Sequence, residues 1–252
     1  MASHSNPARN WFDQGAQAYA RFRPEYPPEL AAFLASVAPD HAFAVDVGCG
    51  NGQLTQLLAP HFSSVVGLGS SADQLANAVP NVRVSYRCAP AEHLPLTDGS
   101  ASLITAAQAA HWFDLPVFYR EVRRIAVPGG VLALISYGVP DLEPPLNDRF
   151  QTFYRDEIGP CWPPERKLVD SGYATIEFPF DEMTAPPLEI RRNWQLSEFL
   201  GYLQTWSAVR SAREAGHEDI LLHFADEICE AWGDERTRRS VVWPINMRIG
   251  KP

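Results

Sequence analysis

The sequence predicts an α/β fold with a doubly wound, mostly parallel sheet, a late strand of the same sheet and a helical insertion in the C-terminal half. Apolar runs of strand length alternate with helix-like stretches between residues 30 and 137. Strands buried on both faces of a parallel sheet give continuous apolar runs of this kind. A glycine-rich turn follows the first run, and prolines and aromatic residues become dense after Gly138. Together these observations predict a sheet followed by a cap.

Strands and helices alternate in the first half of the chain. The apolar runs predict strands over 43–47, 64–68, 82–86, 102–106 and 131–136, and the patterns between them predict helices over 53–59, 71–78 and 114–126. Open α/β sheets bind ligands beyond the carboxyl ends of their strands, where the strand order reverses. The glycine-rich turn after residue 47 lies at such an end, so we expect the ligand site there.

The second half predicts a cap and a last strand. Nine prolines fall between residues 140 and 187. Amphipathic patterns predict helices over 146–157, 196–206 and 217–232, and residues 240–249 alternate enough to form a late strand of the same sheet. The sequence therefore predicts one domain over 1–252, with a core over 30–137, a helical cap over 138–235 and a final strand over 236–252.

The composition favours a small-molecule partner. The 252 residues are 46% hydrophobic and 20% charged, as in an ordinary globular protein, and the net charge is −9. A chain with this charge has no general electrostatic attraction for nucleic acid. No apolar run approaches the length of a membrane span and no secretory signal is visible, so we expect a cytoplasmic protein without a membrane partner. The oligomeric state stays open.

The four cysteines give no sign of a metal site or a disulfide framework. They are Cys49, Cys88, Cys161 and Cys229. Their wide spacing matches no metal-binding pattern, so we expect four separate thiols and no metal ion.

The most informative segment is Asp46-Val47-Gly48-Cys49-Gly50-Asn51-Gly52, between a predicted strand and a predicted helix. Its glycines lack the Cβ atoms that would block a ligand, and they tolerate unusual backbone angles. Cys49 occupies a position that needs a small side chain. A dinucleotide-binding fingerprint would have Gly or Ala where this chain has Gln53. By itself, the segment also fits a simple tight turn.

This segment resembles motif I of the class I S-adenosylmethionine-dependent methyltransferases. The resemblance implies their Rossmann-like fold, in which the late strand is antiparallel to the rest of the sheet. Four later segments resemble the same family in the same order, and they cover 65–71, 89–96, 108–114 and 127–131. The stretches 19–27 and 201–207 are similar to the type 11 subgroup that contains trans-aconitate methyltransferases. The resemblance spans nearly the whole chain and implies S-adenosylmethionine as the cofactor.

The resemblance also implies a set of cofactor-binding residues. They are Tyr19, Arg23, Asp46, Gly48, Cys49, Gly50, Gly52, Gly69, Ser70, Ala91, Glu92, Gln108 and His111. The glycine loop (residues 48–52) would line the methionine end, and Asp46 would order the loop or meet the amino group. Ala91 and Glu92 would lie beside the adenine.

His111 is the candidate catalytic residue, because it lies where cofactor and acceptor would meet. Its imidazole could accept a proton or orient an oxygen, and a structural hydrogen-bonded histidine is the alternative. Tyr19, Arg21 and Arg23 would cover the cofactor carboxylate or an anionic substrate. Trp112 is a further candidate, since its π face could favour a cation.

Gly69 departs from the family pattern. The family has an Asp or Glu there that binds the ribose hydroxyls, and Asp73 is a poor substitute. Loss of such a charged partner costs about 1.5–3 kcal/mol, or roughly ten- to a hundredfold in affinity. Ser102 and Pro90 replace acidic residues that are common in relatives, which also suggests weaker cofactor binding.

Two functions remain open. The first is methylation of a small acceptor at oxygen or nitrogen, with a carboxylate-bearing acceptor as one option. The second is a protein of this fold whose degenerate cofactor site binds another ligand or catalyses a non-methylating reaction. A nicotinamide oxidoreductase is contradicted by Gln53 together with the missing ribose acid.

Overall fold

A mixed sheet runs through residues 22–252, the part of the chain that the computed structural model describes. Its strands are β1 (Phe43–Val47), β2 (Ser64–Gly69), β3 (Val84–Cys88), β4 (Ala101–Ala107), β5 (Ala126–Tyr137), β6 (Asp141–Leu142), β7 (Asp181–Met183), β8 (Leu188–Trp194) and β9 (Arg239–Lys251). The order is β3-β2-β1-β4-β5-β9-β6, and β7 and β8 also pair with β9. The first five strands are parallel and β9 is antiparallel to β5. The predicted mostly parallel sheet with an antiparallel late strand is confirmed.

The helices flank this sheet and fill the segment before β9. They are α1 (Pro28–Val37), α2 (Gln53–Leu58), α3 (Ala72–Ala76), α4 (Leu115–Ile125), α5 (Leu146–Thr152), α6 (Arg166–Asp170), α7 (Leu196–Leu203), α8 (Ser207–Glu214) and α9 (Glu218–Trp232). Short helical turns cover Ala110–Trp112, Phe153–Glu157 and Gly159–Cys161. Five helices lie between β6 and β9, so the predicted helical insertion is present. No helix of the described residues is long and apolar enough to cross a membrane.

Some elements differ from the predicted ones for local reasons. β3 begins two residues late because Asn81 holds a turn, in which its Oδ1 accepts from the Arg83 N–H at 3.0 Å. α3 ends at Ala76 because the Asn77 N–H donates back to the Gln74 carbonyl and its side chain donates to the Asp73 carbonyl. The sequence did not predict α1, the short helices α6 and α8, or the strands β6, β7 and β8.

The core has two sides, separated by the sheet. Alternate residues of β5 point to opposite sides: Val131, Ala133 and Ile135 belong to one apolar cluster, and Leu132 and Leu134 belong to the other. The first cluster also contains the aromatic residues of α5, α7 and α9, which pack closely against one another. The insertion therefore packs beside the sheet, next to the carboxyl end of β5.

Candidate active site

A cleft lies at the carboxyl ends of β1, β2, β4 and β5. It has a volume of about 950 Å³, including the space at its mouth. The residues that line it are Arg23, Tyr26, Asp46, Gly48, Cys49, Gly50, Asn51, Gln53, Leu54, Gly69, Ser70, Ser71, Gln74, Ala107, Gln108, Ala109, Trp112, Phe113 and Tyr137. The strand order reverses beside β1, so the cleft lies at the position where open α/β sheets bind ligands.

The glycine loop forms one wall of the cleft in a conformation that requires glycine. Gly48, Gly50 and Gly52 have φ angles of +72°, +58° and +86°, which side-chain-bearing residues rarely adopt. A Cβ at Gly48 would overlap the Cβ of Ala109, and a Cβ at Gly50 would lie 3.2 Å from Oε1 of Gln74. Glycine is therefore required by the backbone angles and by the neighbouring side chains, and Gly48 and Gly50 line the cleft with backbone atoms.

Asp46 is a buried carboxylate beside this wall. It is only 1% exposed, and it accepts hydrogen bonds from the hydroxyls of Thr55 at 2.6 Å and Thr105 at 2.9 Å. Burial raises the pKa of Asp46 to about 6, although the two threonine hydroxyls act in the opposite direction. The carboxyl is therefore mainly ionised at neutral pH and becomes neutral as the pH falls through about 6. Since Thr55 lies on α2, Asp46 links β1 to the helix that follows the glycine loop.

At the end of β2, Gly69 lines the cleft where the family has its acid. A Cβ there would lie 3.4 Å from Cδ2 of Leu75 and 3.6 Å from Sγ of Cys49, which are ordinary contacts. An aspartate could therefore be accommodated. The polar groups that line this part of the cleft are instead Ser70, Ser71 and Gln74, whereas Asp73 is exposed and does not line it.

The sequence missed Gln74 and Tyr137. Gln74 lies in the first turn of α3, immediately after β2, and reaches across to Gly50. Tyr137 is the last residue of β5, so the rule on strand ends could have identified it. Both positions follow from topology, and neither belongs to a recognisable motif.

Gln108 lines the cleft from the end of β4. It has a φ of +53°, which is strained for a residue other than glycine, and such residues concentrate at functional sites. Its side-chain N–H donates to the carbonyl of Tyr137 at 2.7 Å, and its backbone N–H donates to the carbonyl of Ile135 at 2.8 Å. The side-chain amide is thus directed at β5, and the expected contact of Gln108 with the cofactor stays a prediction.

His111 is half-buried and is not among the residues that line the cleft. Its Nδ1 is 2.8 Å from the hydroxyl of Tyr173, and its ring packs against Trp112, which lines the cleft. Burial, with the positive charges of Arg166 and Arg23, lowers the pKa of His111 to about 3. The imidazole is therefore neutral at physiological pH, and it is a poor proton acceptor.

Arg23 connects the cleft to the cap. It lines the cleft, its Nη1 donates to the hydroxyl of Tyr137 at 3.3 Å, and its Nη2 lies 3.5 Å from the carbonyl of Thr205. Its guanidinium also lies 5.8 Å from the ring centre of Tyr202. Tyr19 and Arg21 lie outside the described residues, so their expected roles stay predictions.

Several other candidates lie away from the cleft lining. Gly52, Ala91 and Glu92 do not line it, and the Glu92 carboxylate accepts from the Asp114 N–H at 2.9 Å, close to the start of α4. The adenine contacts of Ala91 and Glu92 therefore stay predictions.

The expectation that Ser102 affects cofactor binding is not supported by its position. Ser102 is buried at the amino end of β4, the end opposite to the cleft, and donates to Asp40. It serves to join the sheet to the turn before β1.

Comparisons with known proteins agree with this arrangement. Residues 45–134 match the family model described as a methyltransferase domain. A protein assigned as a methyltransferase from Dictyostelium discoideum is 34% identical over 249 residues, which cover 95% of this chain and 94% of that protein. A malonyl-[acyl-carrier protein] O-methyltransferase from Dechloromonas aromatica is 40% identical over 112 residues, covering 43% of this chain and 41% of that enzyme.

The solved structures agree as well. The structure of a protein assigned as a type II methyltransferase from Anaeromyxobacter dehalogenans has a TM-score of 0.86 and 43% identity, and the match covers 91% of this chain and 98% of that one. The narrower likeness to trans-aconitate methyltransferases stays a prediction. The Dictyostelium relative matches this chain over nearly its full length, and the Anaeromyxobacter structure has the same fold. The chain therefore belongs to the class I S-adenosylmethionine-dependent methyltransferases.

Proposed function

We propose that the protein transfers a methyl group from S-adenosylmethionine to an oxygen of a small carboxylate-bearing acceptor. The observation that carries the proposal is the position of Arg23, whose guanidinium lines the cleft and donates to the Tyr137 hydroxyl at 3.3 Å. Burial, together with the positive charges of Arg166 in the cap and Arg23, lowers the pKa of the neighbouring His111. Permanently charged guanidinium groups are suited to holding a carboxylate.

The residues of the cleft fit the cofactor on chemical grounds. The glycine loop lines the cleft with the backbone of Gly48 and Gly50, which a ligand can approach closely. The ionised Asp46 suits the ammonium of the methionine moiety. At the ribose, Gln74 and Ser70 are the polar residues in place of the missing acid. When bound, the cofactor supplies an electrophilic methyl group on a sulfonium.

The acceptor side combines positive charge with aromatic surface. The Arg166 guanidinium lies 4.6 Å from the ring centre of Trp162, and it pairs with Asp170 at 2.9 Å. Trp206 packs against Trp162 at 5.2 Å and belongs to the same apolar cluster as the cap helices. Aromatic walls exclude water from a bound acceptor, and a guanidinium in such surroundings binds an anion more strongly than it would in water.

A carboxylate acceptor also agrees with the weak basicity of His111. A carboxylate is already ionised at neutral pH, so its oxygen can attack a methyl group without first losing a proton. The protein then has only to hold the carboxylate oxygen in line with the methyl carbon and the sulfur, and to exclude water. Such positioning can supply much of the rate acceleration. The similarity to an O-methyltransferase over part of the chain supports an oxygen acceptor.

The test is a labelling assay with methyl-labelled S-adenosylmethionine and a panel of small mono-, di- and tricarboxylic acids beside their amides. We expect label in the acids only, released as methanol by mild alkali because methyl esters are alkali-labile. Arg166→Gln should lower kcat/KM for the acid by roughly tenfold or more. Arg191→Gln is the matched control, because Arg191 lies exposed on β8 and pairs with Glu189. Alkali-stable label, or equal labelling of the amides, would contradict the proposal.

A further inference from the structure

We propose that the neutral side-chain amide of Gln74 recognises the ribose of the cofactor, and that this site therefore also takes cofactors in which a ribose hydroxyl is substituted. The cofactor is the one named in the proposed function, on which this inference rests. Gln74 lies on α3, outside the motifs of the sequence.

The Gln74 side chain lies beside the place where folds of this kind hold a ribose. In such folds a residue about 20 positions after the glycine-rich turn contacts the ribose, and here that position falls at Gly69, the last residue of β2. Gln74 lines the cleft from the first turn of α3, shortly after β2. Its Oε1 lies 3.2 Å from the place that a Cβ of Gly50 would occupy. The side chain therefore reaches from the segment after β2 to the glycine loop, and these two walls enclose the expected ribose position.

The backbone of Gln74 is fixed, whereas its side-chain amide is available. The Gln74 N–H donates to the Ser71 hydroxyl at 3.4 Å, and the Gln74 carbonyl accepts from the Asn77 N–H at 3.1 Å. The residue is half-buried. Within the described part of the chain, the side-chain amide has no hydrogen-bond partner. Its donor and its acceptor can therefore both serve a ligand.

The part of the cleft around Gln74 carries no charged side chain from the residues that the structure describes. We call this part the ribose corner, and it consists of Gly50, Gly69, Ser70, Ser71 and Gln74. The charged residues of the described cleft lining are Arg23 and Asp46. Arg23 contacts Tyr137 at the end of β5, and the Asp46 carboxylate accepts from Thr55 and Thr105. A ligand oxygen in the ribose corner therefore meets neutral groups.

A neutral amide and a carboxylate recognise a ribose differently. A carboxylate only accepts hydrogen bonds, so it requires a hydroxyl that donates, whereas an amide both donates and accepts. A hydrogen bond to a charged partner is worth roughly ten- to a hundredfold in affinity, and one to a neutral partner is worth up to about tenfold. We therefore expect the ribose corner to tolerate a substituent that cannot donate. Gly69 leaves room for one, because even an added Cβ there would make only ordinary contacts.

The test measures how strongly binding depends on each ribose hydroxyl. The unmodified protein is titrated by calorimetry with S-adenosylhomocysteine and with its 2′- and 3′-deoxyfluoro forms, because fluorine is similar in size to a hydroxyl and cannot donate. The discrimination ratio at each position is the Kd of the fluoro form divided by the Kd of S-adenosylhomocysteine. We expect the larger ratio to be a few-fold and to stay below about tenfold. A ratio near one at both positions, or of tenfold or more at either, would overturn the proposal.

Two variants assign the ratio to Gln74. Gln74→Glu replaces the amide by a carboxylate of the same size, and we expect its larger ratio to exceed about tenfold. Gln74→Met removes both donor and acceptor at similar length, and we expect both of its ratios to fall close to one. Gln151→Glu is the matched control, because it adds the same charge on α5, away from the cleft lining, and should leave both ratios unchanged. Unchanged ratios in the folded Gln74 variants would refute the role of Gln74.

Failure of the cofactor assignment and failure of this specificity give different results. If the folded unmodified protein does not bind S-adenosylhomocysteine, the cofactor of the proposed function is wrong and the role of Gln74 fails with it. If the protein binds S-adenosylhomocysteine but the ratios do not respond to Gln74→Glu or Gln74→Met, the cofactor assignment stands and only the role of Gln74 is refuted.

Discussion

Gly50 and Gly99 have the same φ angle, +58°, but only Gly50 lines the cleft. Around Gly99 nothing lies within 4 Å of the place that a Cβ would occupy, whereas at Gly50 that place is 3.2 Å from the Gln74 side chain. An alanine at either position would therefore have the same backbone strain, and the two positions differ only in the atoms that surround the added methyl group. Substituting each of the two glycines therefore distinguishes the effect of backbone strain on stability from the effect of a changed cleft wall on ligand affinity.

We expect Gly50→Ala and Gly99→Ala to lose similar stability, about 1 kcal/mol each, because an alanine at this φ is strained. Only Gly50→Ala should lose affinity for S-adenosylhomocysteine, by at least roughly tenfold, because its methyl group enters the binding surface and displaces Gln74. Urea unfolding measures the stability, and calorimetry measures the affinity. Equal affinity in the two variants would mean that the glycine loop does not contact the cofactor.

At the scale of elements, α4 fixes the loop that leads to β4. The Glu121 carboxylate accepts from the Leu94 N–H at 2.7 Å, and Arg124 donates to the carbonyls of Leu94 and Leu96 at 2.7 and 2.8 Å. Arg124 also pairs with Asp98 at 2.7 Å. The hydrogen bonds from Arg124, assisted by the Leu94 N–H, lower the pKa of Glu121 to about 2. A carboxylate on a helix thus holds the second half of the segment 89–96, whose first half contains Ala91 and Glu92.

The lowered pKa sets the sign of a pH dependence. Because the pKa of Glu121 is lower in the folded protein than in the unfolded chain, its ionised form stabilises the fold above about pH 4.5, and this contribution is lost as the pH falls toward about 2. We expect Glu121→Gln to lower the free energy of unfolding by about 1 kcal/mol at pH 7. The difference from the unmodified protein should shrink at pH 3.

Urea unfolding at the two pH values measures this difference. Glu230→Gln is the control, because it removes an exposed carboxylate from α9. A stability difference for Glu121→Gln that is independent of pH would show that the loop is held by packing and not by this charge.

At the scale of the whole molecule, the sequence predicted what depends on local pattern. The glycine loop, the alternation of strands and helices and the late strand follow from apolar periodicity and turn chemistry. The positions of Tyr173 and Gln74 could not be predicted, because they depend on long-range packing: Tyr173 meets His111 only after α6 packs near the end of β4. Ser102 shows the opposite error, because the predicted strand over 102–106 already placed it at the amino end, away from the carboxyl ends at which such sheets bind ligands.

The same limit applies to the cap. Its amphipathic helices were predictable from their own residues, but β8 pairs with β9 across about 50 residues of chain, from Trp194 with Arg239 to Leu188 with Ile245. Such non-local pairing leaves no local periodic signal that distinguishes it from a loop. The contacts of Trp162 with Trp206 and with the Arg166 guanidinium became visible only in the folded chain.

The central claim is that this cleft binds S-adenosylmethionine without the ribose acid, and calorimetric titration with S-adenosylhomocysteine tests it most directly. We expect micromolar binding by the unmodified protein and roughly tenfold or tighter binding by Gly69→Asp, because the added carboxylate meets only ordinary contacts. Binding by Gly69→Asp alone would mean that the present site is disabled for the cofactor. If neither folded protein binds, the assignment of the cleft to this cofactor is contradicted.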